Sequence, residues 1–224
     1  MLQKYQASES FRVGVLLAVT GGFLDAYSYL ARGGVFANAA TGNIVLLALN
    51  LAQGDFGRVL HYLIPIAAYA AGIIAAELIR RRFGGRDDHM LHWRQLSIAA
   101  EIIIVCAVAF FPQGTADLAA VSAISFVCSM QVESFRKVQG NPYATTMCTG
   151  NLRSASEHLY RRIFGKDKQS GRTALLYFGI IGAFMLGAIA GGAAVIYLQE
   201  KACLVCGVFL LAAILFMLKK KEEA

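Results

Sequence analysis

The sequence predicts an all-α polytopic membrane protein: six transmembrane helices as 3+3 inverted repeats, each repeat with an additional short re-entrant or half-inserted helix. Composition, a repeated motif and the placement of Lys and Arg predict it. Hydrophobic residues make up 57% of the 224 and charged residues 16%, with a mean hydropathy of +0.55, against roughly 25% charged in an average soluble domain. Thr-Gly-Asn occurs at Thr41-Gly42-Asn43 and at Thr149-Gly150-Asn151, each copy in an apolar stretch 16 residues after a lone acid, Asp25 or Glu133. Composition alone would supply about 0.015 copies, so two with a matching acid imply an internal duplication. The repeats are expected at 1–112 and 113–224.

The first apolar run, 13–31, is long enough to span a bilayer. Its apolar length, its internal Asp25 and the membrane segments that follow argue for a retained helix rather than a cleaved signal peptide. Segment 36–52 is shorter, more polar and carries the first Thr-Gly-Asn. A second span is expected at 59–79, then a linker at 83–92 with Trp93 as an interfacial anchor. Spans at 96–111 and 118–132 are separated by the turn Pro112-Gln113-Gly114. Segment 143–160 carries the second Thr-Gly-Asn, and spans at 174–198 and 202–218 complete the chain. With an offset of 115, His61-Tyr62-Leu63 falls on Leu176-Tyr177-Phe178 and Gly72 on Gly187. Ala68, Gly72 and Ala76, like Ala183, Gly187 and Gly191, form small-residue faces that let helices approach closely, and a packing seam is the expected role.

Whether the two intermediate segments cross decides the architecture. Arg80, Arg81, Arg82, Arg86 and Arg94 mark a cytoplasmic loop by the positive-inside rule. If both segments crossed, nine of the 21 Lys and Arg residues would be cytoplasmic; if neither crosses, eighteen are, leaving Arg32, Arg58 and Lys201 outside. The second arrangement follows the rule, giving six crossings with both termini cytoplasmic. Three crossings per half invert one half relative to the other. The Thr-Gly-Asn segments then enter without crossing, one from each face; for 143–160 the basic residues after Asn151 leave a surface-lying amphipathic helix as the alternative.

Asp25 sits well inside the first span, where a charge costs at least a few kcal/mol unless paired, hydrated or protonated. Glu133 lies nearer its span's cytoplasmic end. As a pair they suit a cavity that binds a cation or shuttles protons; individually each suits a helix terminus or an arginine, with Arg136 one turn from Glu133. Gly21-Gly22 either opens the first helix locally or admits a close neighbour. In Thr-Gly-Asn, the Thr hydroxyl can cap a helix, Gly permits close backbone approach and Asn offers both donors and an acceptor. That suits a broken helix whose N-terminus faces a substrate, or a turn that packs the two halves. Asn38, Thr145 and Thr146 enrich the same segments in polar groups. Glu77 and Glu101 are within reach of membrane depth, Glu77 with the following arginines as partners.

Five cysteines in apolar surroundings imply no disulfide framework. Cys203 and Cys206 have metal or redox spacing but no second ligand pair, so a structural role is expected. The four histidines form no metal-site pattern, and the net charge of +7 flanks membrane segments rather than forming a nucleic-acid patch. No nucleophile elbow, P-loop or dinucleotide fingerprint is present. No enzyme, cofactor, metal or nucleic-acid partner is therefore expected.

Gly22-Phe23-Leu24-Asp25-Ala26, Val35-Phe36-Ala37 and Thr41-Gly42-Asn43, then Gln131 with Ala144-Thr145-Thr146 and Thr149-Gly150-Asn151, resemble the YoaK-like DUF1275 family of bacterial membrane proteins. The resemblance covers nearly the whole chain and implies a six-span protein of the cytoplasmic (inner) membrane. It implies no activity. Met130 stands where such a family usually has Gly, so the equivalence of this position with Gly22 is not strict. The expected function is a small-solute transporter or channel with its site between the repeats. The candidate substrate-binding residues are Asp25, Asn38, Thr41, Gly42, Asn43, Gln131, Glu133, Thr145, Thr149, Gly150 and Asn151. The expected partners are the lipid bilayer, a small solute and H+ or another cation, with a homo-oligomer as a candidate state. A non-transporting membrane scaffold or sensor is the alternative.

Overall fold

The structure, a computed structural model, describes residues 6–83 and 93–222, with side chains as far as Leu218. Residues 84–92 of the expected linker, with His89 and His92, lie outside the described residues, as do Lys4 and the side chains of Lys219, Lys220 and Lys221. Among the described residues are eight α-helices: α1 (Phe11–Ala31), α2 (Ala40–Ala52), α3 (Phe56–Phe83), α4 (Trp93–Val108), α5 (Asp117–Ser134), α6 (Cys148–Phe164), α7 (Lys168–Leu198) and α8 (Leu204–Glu222). Between α5 and α6 a hairpin pairs β1 (Lys137–Val138) with β2 (Asn141–Pro142). Its two-residue turn, Gln139 and Gly140, has positive φ at both positions, the twist that joins short antiparallel strands best. The all-α expectation holds, with this hairpin as an addition the sequence reading did not contain.

Among the described residues, three stretches are long and apolar enough to cross a membrane: Phe11–Ala31, Phe56–Phe83 and Lys168–Leu218. The last covers α7 and α8, which a 3-10 turn at Gln199–Cys203 separates. α2 is a shorter apolar helix of 13 residues. α4 and α5 have 16 and 18 residues, about 24 and 27 Å at 1.5 Å per residue, close to the thickness of a bilayer's hydrocarbon core.

α1 and α5 hold the centre of the bundle. Of the most apolar window of α1, 67% is buried, against 28% for α3, and α5 buries residues on every side from Ala120 to Ser134. α1 packs chiefly on α7, and α5 on α3. α2 lies on α3 and α6 on α7; α8 packs on α1 and α4 on α5; α4 and α8 meet each other. Each of these pairings has a counterpart, or is its own, when α1 to α4 are matched with α5 to α8. The small-residue faces make the two largest contacts possible: a Cβ on Gly187 would collide with the Val19 carbonyl of α1, and one on Gly72 with the Phe126 carbonyl of α5.

Neighbouring residues give the helix directions. Gly14 faces Ile180 and Phe23 faces Gly191, so α1 and α7 run parallel. Tyr62 packs with Val121 and Gly72 with Phe126, so α3 and α5 also run parallel. α1 opposes α5, because Arg32 at its end reaches Asp117 at the start of α5, 3.2 Å away. At the opposite end, Glu9 accepts from the Gln139 backbone N–H, just past α5, at 2.7 Å. One end of the bundle thus gathers the starts of α1, α4 and α7 with the ends of α3, α5 and α8; the other gathers Arg32, the 109–116 turn and the 199–203 turn.

Arg32 is fully buried at that second end rather than part of a solvated loop. Its guanidinium donates to the Val108 and Phe111 carbonyls at 2.9 and 3.0 Å, to the Tyr27 hydroxyl at 2.8 Å and to Asp117. The Val108 carbonyl at the end of α4, which also accepts from the Phe111 N–H at 3.0 Å, gains a second donor in this way. Tyr27 in turn donates to the Glu200 carbonyl at 2.8 Å, tying in the turn before α8.

Candidate functional site

The chain between α1 and α2 is irregular yet buried: Val35, Ala37 and Asn38 are each at most 5% exposed. Backbone polar groups without partners there would cost several kcal/mol each, and each side chain of the local motif answers that need. Asn43, from Thr-Gly-Asn, accepts from the Phe36 N–H at 3.0 Å and donates to the Phe36 carbonyl at 2.7 Å. Ser28 accepts from the Ala37 N–H at 3.0 Å, and Asp25 Oδ1 accepts from the Asn38 N–H at 2.6 Å.

The second copy repeats the first contact. Asn151 accepts from the Ala144 N–H at 3.3 Å and donates to the Ala144 carbonyl at 2.7 Å. In both copies the amide pairs with the residue seven positions earlier, closing the loop that feeds a short helix. The threonines do not cap: the N-cap positions are Ala39 and Met147, with no side-chain capping bond, and Thr41 and Thr149 lie exposed in the first turn. The expected Thr cap is therefore replaced by the Asn clamp, which satisfies both donor and acceptor at once.

The two loops meet at the middle of α1. Asn38 Nδ2 donates to the Gly21 carbonyl at 3.3 Å, while Thr146, from the other loop, packs where a Cβ on Gly21 would stand. Gly22 seats the Phe184 backbone of α7. α1 stays helical through both glycines, so they admit close neighbours rather than open the helix. α2 then returns to the Arg32 end, where His61 near the start of α3 lies 2.9 Å from the Gly33 carbonyl. α6 returns to the opposite end, where His158 meets Ser170 of α7 at 3.3 Å. Asn38 Oδ1 and Thr146 Oγ1, on residues 5% and 8% exposed, have no hydrogen-bond partner among the described residues. They occupy the same place in the two halves, two residues ahead of α2 and of α6.

Beyond this meeting point the halves differ. Glu133 does not join Asp25; it pairs with Arg136, which also binds Glu77 at 2.7 Å. The residue of α5 that reaches the second loop is Gln131, through Thr145 Oγ1 at 3.2 Å. The amide orientation that also serves its other neighbour has Nε2 donating to Glu101 Oε2 at 3.0 Å while Oε1 accepts from Thr145. Glu101, on α4, is 0% exposed. Cys128 lies beside the Asn38 amide and within electrostatic reach of both Asp25 and Glu101. Among the described residues neither acid makes a salt bridge.

Of the candidate residues, Asp25, Asn38, Gln131 and Thr145 thus converge, with Asn43 and Asn151 shaping the loops around them. Gly42 packs against Phe36 and Gly150 faces open space, away from the meeting point. Thr146 proves as central as Asn38, and Glu101 joins the cluster on the strength of a signal present in the sequence, a lone acid deep in an apolar run. Cys203 donates to the Val105 carbonyl at 3.5 Å and Cys206 is buried, consistent with packing. No group of His, Cys, Asp and Glu that could hold a metal occurs among the described residues. A cavity of about 410 Å³ lies elsewhere, beside Arg80, Arg81, Trp93 and Arg94.

The sequence pattern of a family described as "Protein of unknown function (DUF1275)" matches residues 13–216. The chain is 28% identical over 160 residues, 69% of its own length and 69% of the relative's, to the UPF0700 transmembrane protein YoaK of Bacillus subtilis (strain 168). No solved structure matches.

Proposed function

The chain belongs to the DUF1275 family of unknown function, and from that premise we propose that it is a small-solute transporter or channel of the bacterial cytoplasmic membrane. In this reading α1, α3, α4, α5, α7 and α8 cross the bilayer, both termini are cytoplasmic, and α2 and α6 enter from opposite faces. The two halves, 1–112 and 113–224, are inverted repeats. The matched helix pairings, the opposed directions of α1 and α5 and the concentration of Lys and Arg at one end support this arrangement. The solute site lies where the two loops meet.

One observation carries the reading. Asn38 Oδ1 and Thr146 Oγ1, equivalently placed, are buried without partners among the described residues at the point where two short helices begin, and helix starts offer N–H groups to a polar ligand. An unpaired buried acceptor or hydroxyl costs about 1–3 kcal/mol, a cost a bound solute would remove. Such a solute is small and polar, with both a donor and an acceptor, because the oxygens of Asn38 and Asp25 accept while the Thr146 hydroxyl does either.

The scaffold or sensor reading is favoured by a different observation: the amides of Asn43 and Asn151 are fully engaged by their own loops. Proteoliposome flux separates the two. Urea, glycerol, ammonium chloride and sodium formate would be presented in turn as gradients to vesicles with and without protein. Transport predicts that at least one permeates faster with protein and that Asn38→Ala and Thr146→Val each slow it at least tenfold. Flux equal to protein-free vesicles for the whole panel, or flux indifferent to both substitutions, would favour the scaffold.

A further inference from the structure

Glu101 is fully buried and makes no salt bridge among the described residues, and Gln131 connects it to the solute site. The geometry points to Glu101 as a proton-binding site whose occupancy is relayed by the Gln131 amide to Thr145, ahead of α6. We infer from it the coupling ion of the transport reading, a proton drawn from and returned to water, and the inference rests on that reading only in this naming.

The argument is one of donors and acceptors. A carboxylate only accepts, whereas a carboxylic acid has one O–H to donate. With Glu101 ionised, Gln131 turns Nε2 to Glu101 Oε2 at 3.0 Å and accepts from Thr145 Oγ1 at 3.2 Å. With Glu101 protonated, its O–H donates to Gln131 Oε1, and Nε2 instead donates to Thr145 Oγ1 at the same 3.2 Å. Both orientations of the amide are therefore satisfied by the same three side chains, without backbone movement. What changes is the direction of the bond to Thr145, whose hydroxyl donates in one state and accepts in the other. Thr145 adjoins Thr146, whose hydroxyl has no partner, so the proton's presence reaches the loop at the meeting point.

Among the described residues no cation pairs with Glu101. Among the described residues, Cys128 of α5 and Cys206 of α8 lie within electrostatic reach of it. Behind them stand Asp25 of α1, Tyr69 of α3 and Cys203 of the turn before α8. No cation is among them.

Infrared difference spectra between acid and alkaline pH test this on the purified full-length protein in lipid, with no solute added. The wild type is expected to show the C=O band of a buried carboxylic acid that disappears as pH rises. The band should be absent in Glu101→Gln, persist in Asp25→Asn, and persist in Gln131→Leu but shifted to the frequency of a carboxyl without a hydrogen bond. A wild type with no such band, a band that survives Glu101→Gln, or one unmoved in Gln131→Leu would each overturn the inference. Because the spectra need no solute, a normal band in a protein that moves nothing in the panel would sink the transport reading alone. Intact flux without the band would sink this inference alone.

Discussion

Ahead of α2 the buried loop closes on the carboxyl group of Asp25, and ahead of α6 the corresponding loop closes on the amide of Gln131. The two junctions share the Asn clamp, the short helix that follows and the partner helix on which that helix lies. They differ in what α1 and α5 offer them: Asp25 takes the Asn38 N–H directly, while Gln131 reaches only the Thr145 hydroxyl and leans on Glu101. The comparison teaches that the duplicated parts carry the architecture, since both halves need the same loop closed. The parts that have diverged set which side chains reach each loop, Asp25 at the first and Gln131 beside Glu101 at the second. Asn43 and Asn151 belong to the first class, Asp25 and Gln131 to the second.

If the shared parts are equivalent, they should fail equally. The largest effect is expected at the crossings of α1 with α7 and of α5 with α3. Gly187→Ala and Gly72→Ala each push a Cβ into a backbone carbonyl, and overpacking against backbone that cannot yield should cost about 3 kcal/mol or more. Thermal unfolding followed by helical circular dichroism in detergent should show both variants lowered by a similar amount; tolerance of one alone would break the equivalence.

Next come Asn43→Ala and Asn151→Ala. Each strands a part-buried N–H and a part-buried carbonyl, so each should destabilise by about 1–2 kcal/mol on the same measurement. A loss at only one of them would mean that the second loop has another way to close.

The diverged parts should instead separate. Glu133→Gln removes an ion pair to a half-exposed Arg136, worth about 0–1 kcal/mol, and should leave solute flux unchanged. Asp25→Asn should keep the fold while lowering flux at least tenfold. Equal flux in the two variants would erase the distinction between the halves.

The smallest effect concerns the helix starts. α3 begins after Asp55, which accepts from the Arg58 N–H at 3.1 Å, and α7 after Asp167, which accepts from the Gln169 N–H at 2.9 Å and the Ser170 hydroxyl at 2.7 Å. The Ser170 hydrogen bonds hold the Asp167 carboxyl below its ordinary range. A carboxyl with a folded pKa below its unfolded one contributes stability above the unfolded value, and that contribution disappears as pH falls through the folded value. Asp167→Asn should therefore flatten slightly the decline of melting temperature from pH 5 to pH 3, and an unchanged slope would remove Asp167 from the account.

Much of this was legible because membrane depth leaves few options for polar residues. Two copies of Thr-Gly-Asn with equal spacing to an acid pointed to the matched loops ahead of α2 and α6, and the apolar composition pointed to the all-α arrangement of membrane-length helices. The division of labour inside the motif was not legible. Thr is the common cap in soluble proteins, but here the irregular chain ahead of the helix is itself buried, so the residue with two donors and an acceptor is the one it needs. Equal spacing also paired Glu133 with Asp25. Yet α5 ends at Ser134 and gives way to a hairpin, which carries Glu133 out to Arg136 and leaves Gln131 facing the loop. Glu101 has no counterpart acid in α8 and so stood outside a search for repeats, although a lone carboxyl in an apolar run marks it. Arg32 read as an external charge because sequence shows its position but not the carbonyls at the end of α4 that draw it inward.

In the proposed arrangement two oppositely oriented halves send their short helices in from opposite faces to meet at Gly21. Labelling by a membrane-impermeant maleimide in oriented vesicles tests it most directly, with Gln53→Cys after α2 and Lys168→Cys after α6, in a background where Cys106 and Cys148 are replaced by Ser. Gln53→Cys should react only from the outside and Lys168→Cys only from the cytoplasmic side; reaction of both from the same side would contradict the account.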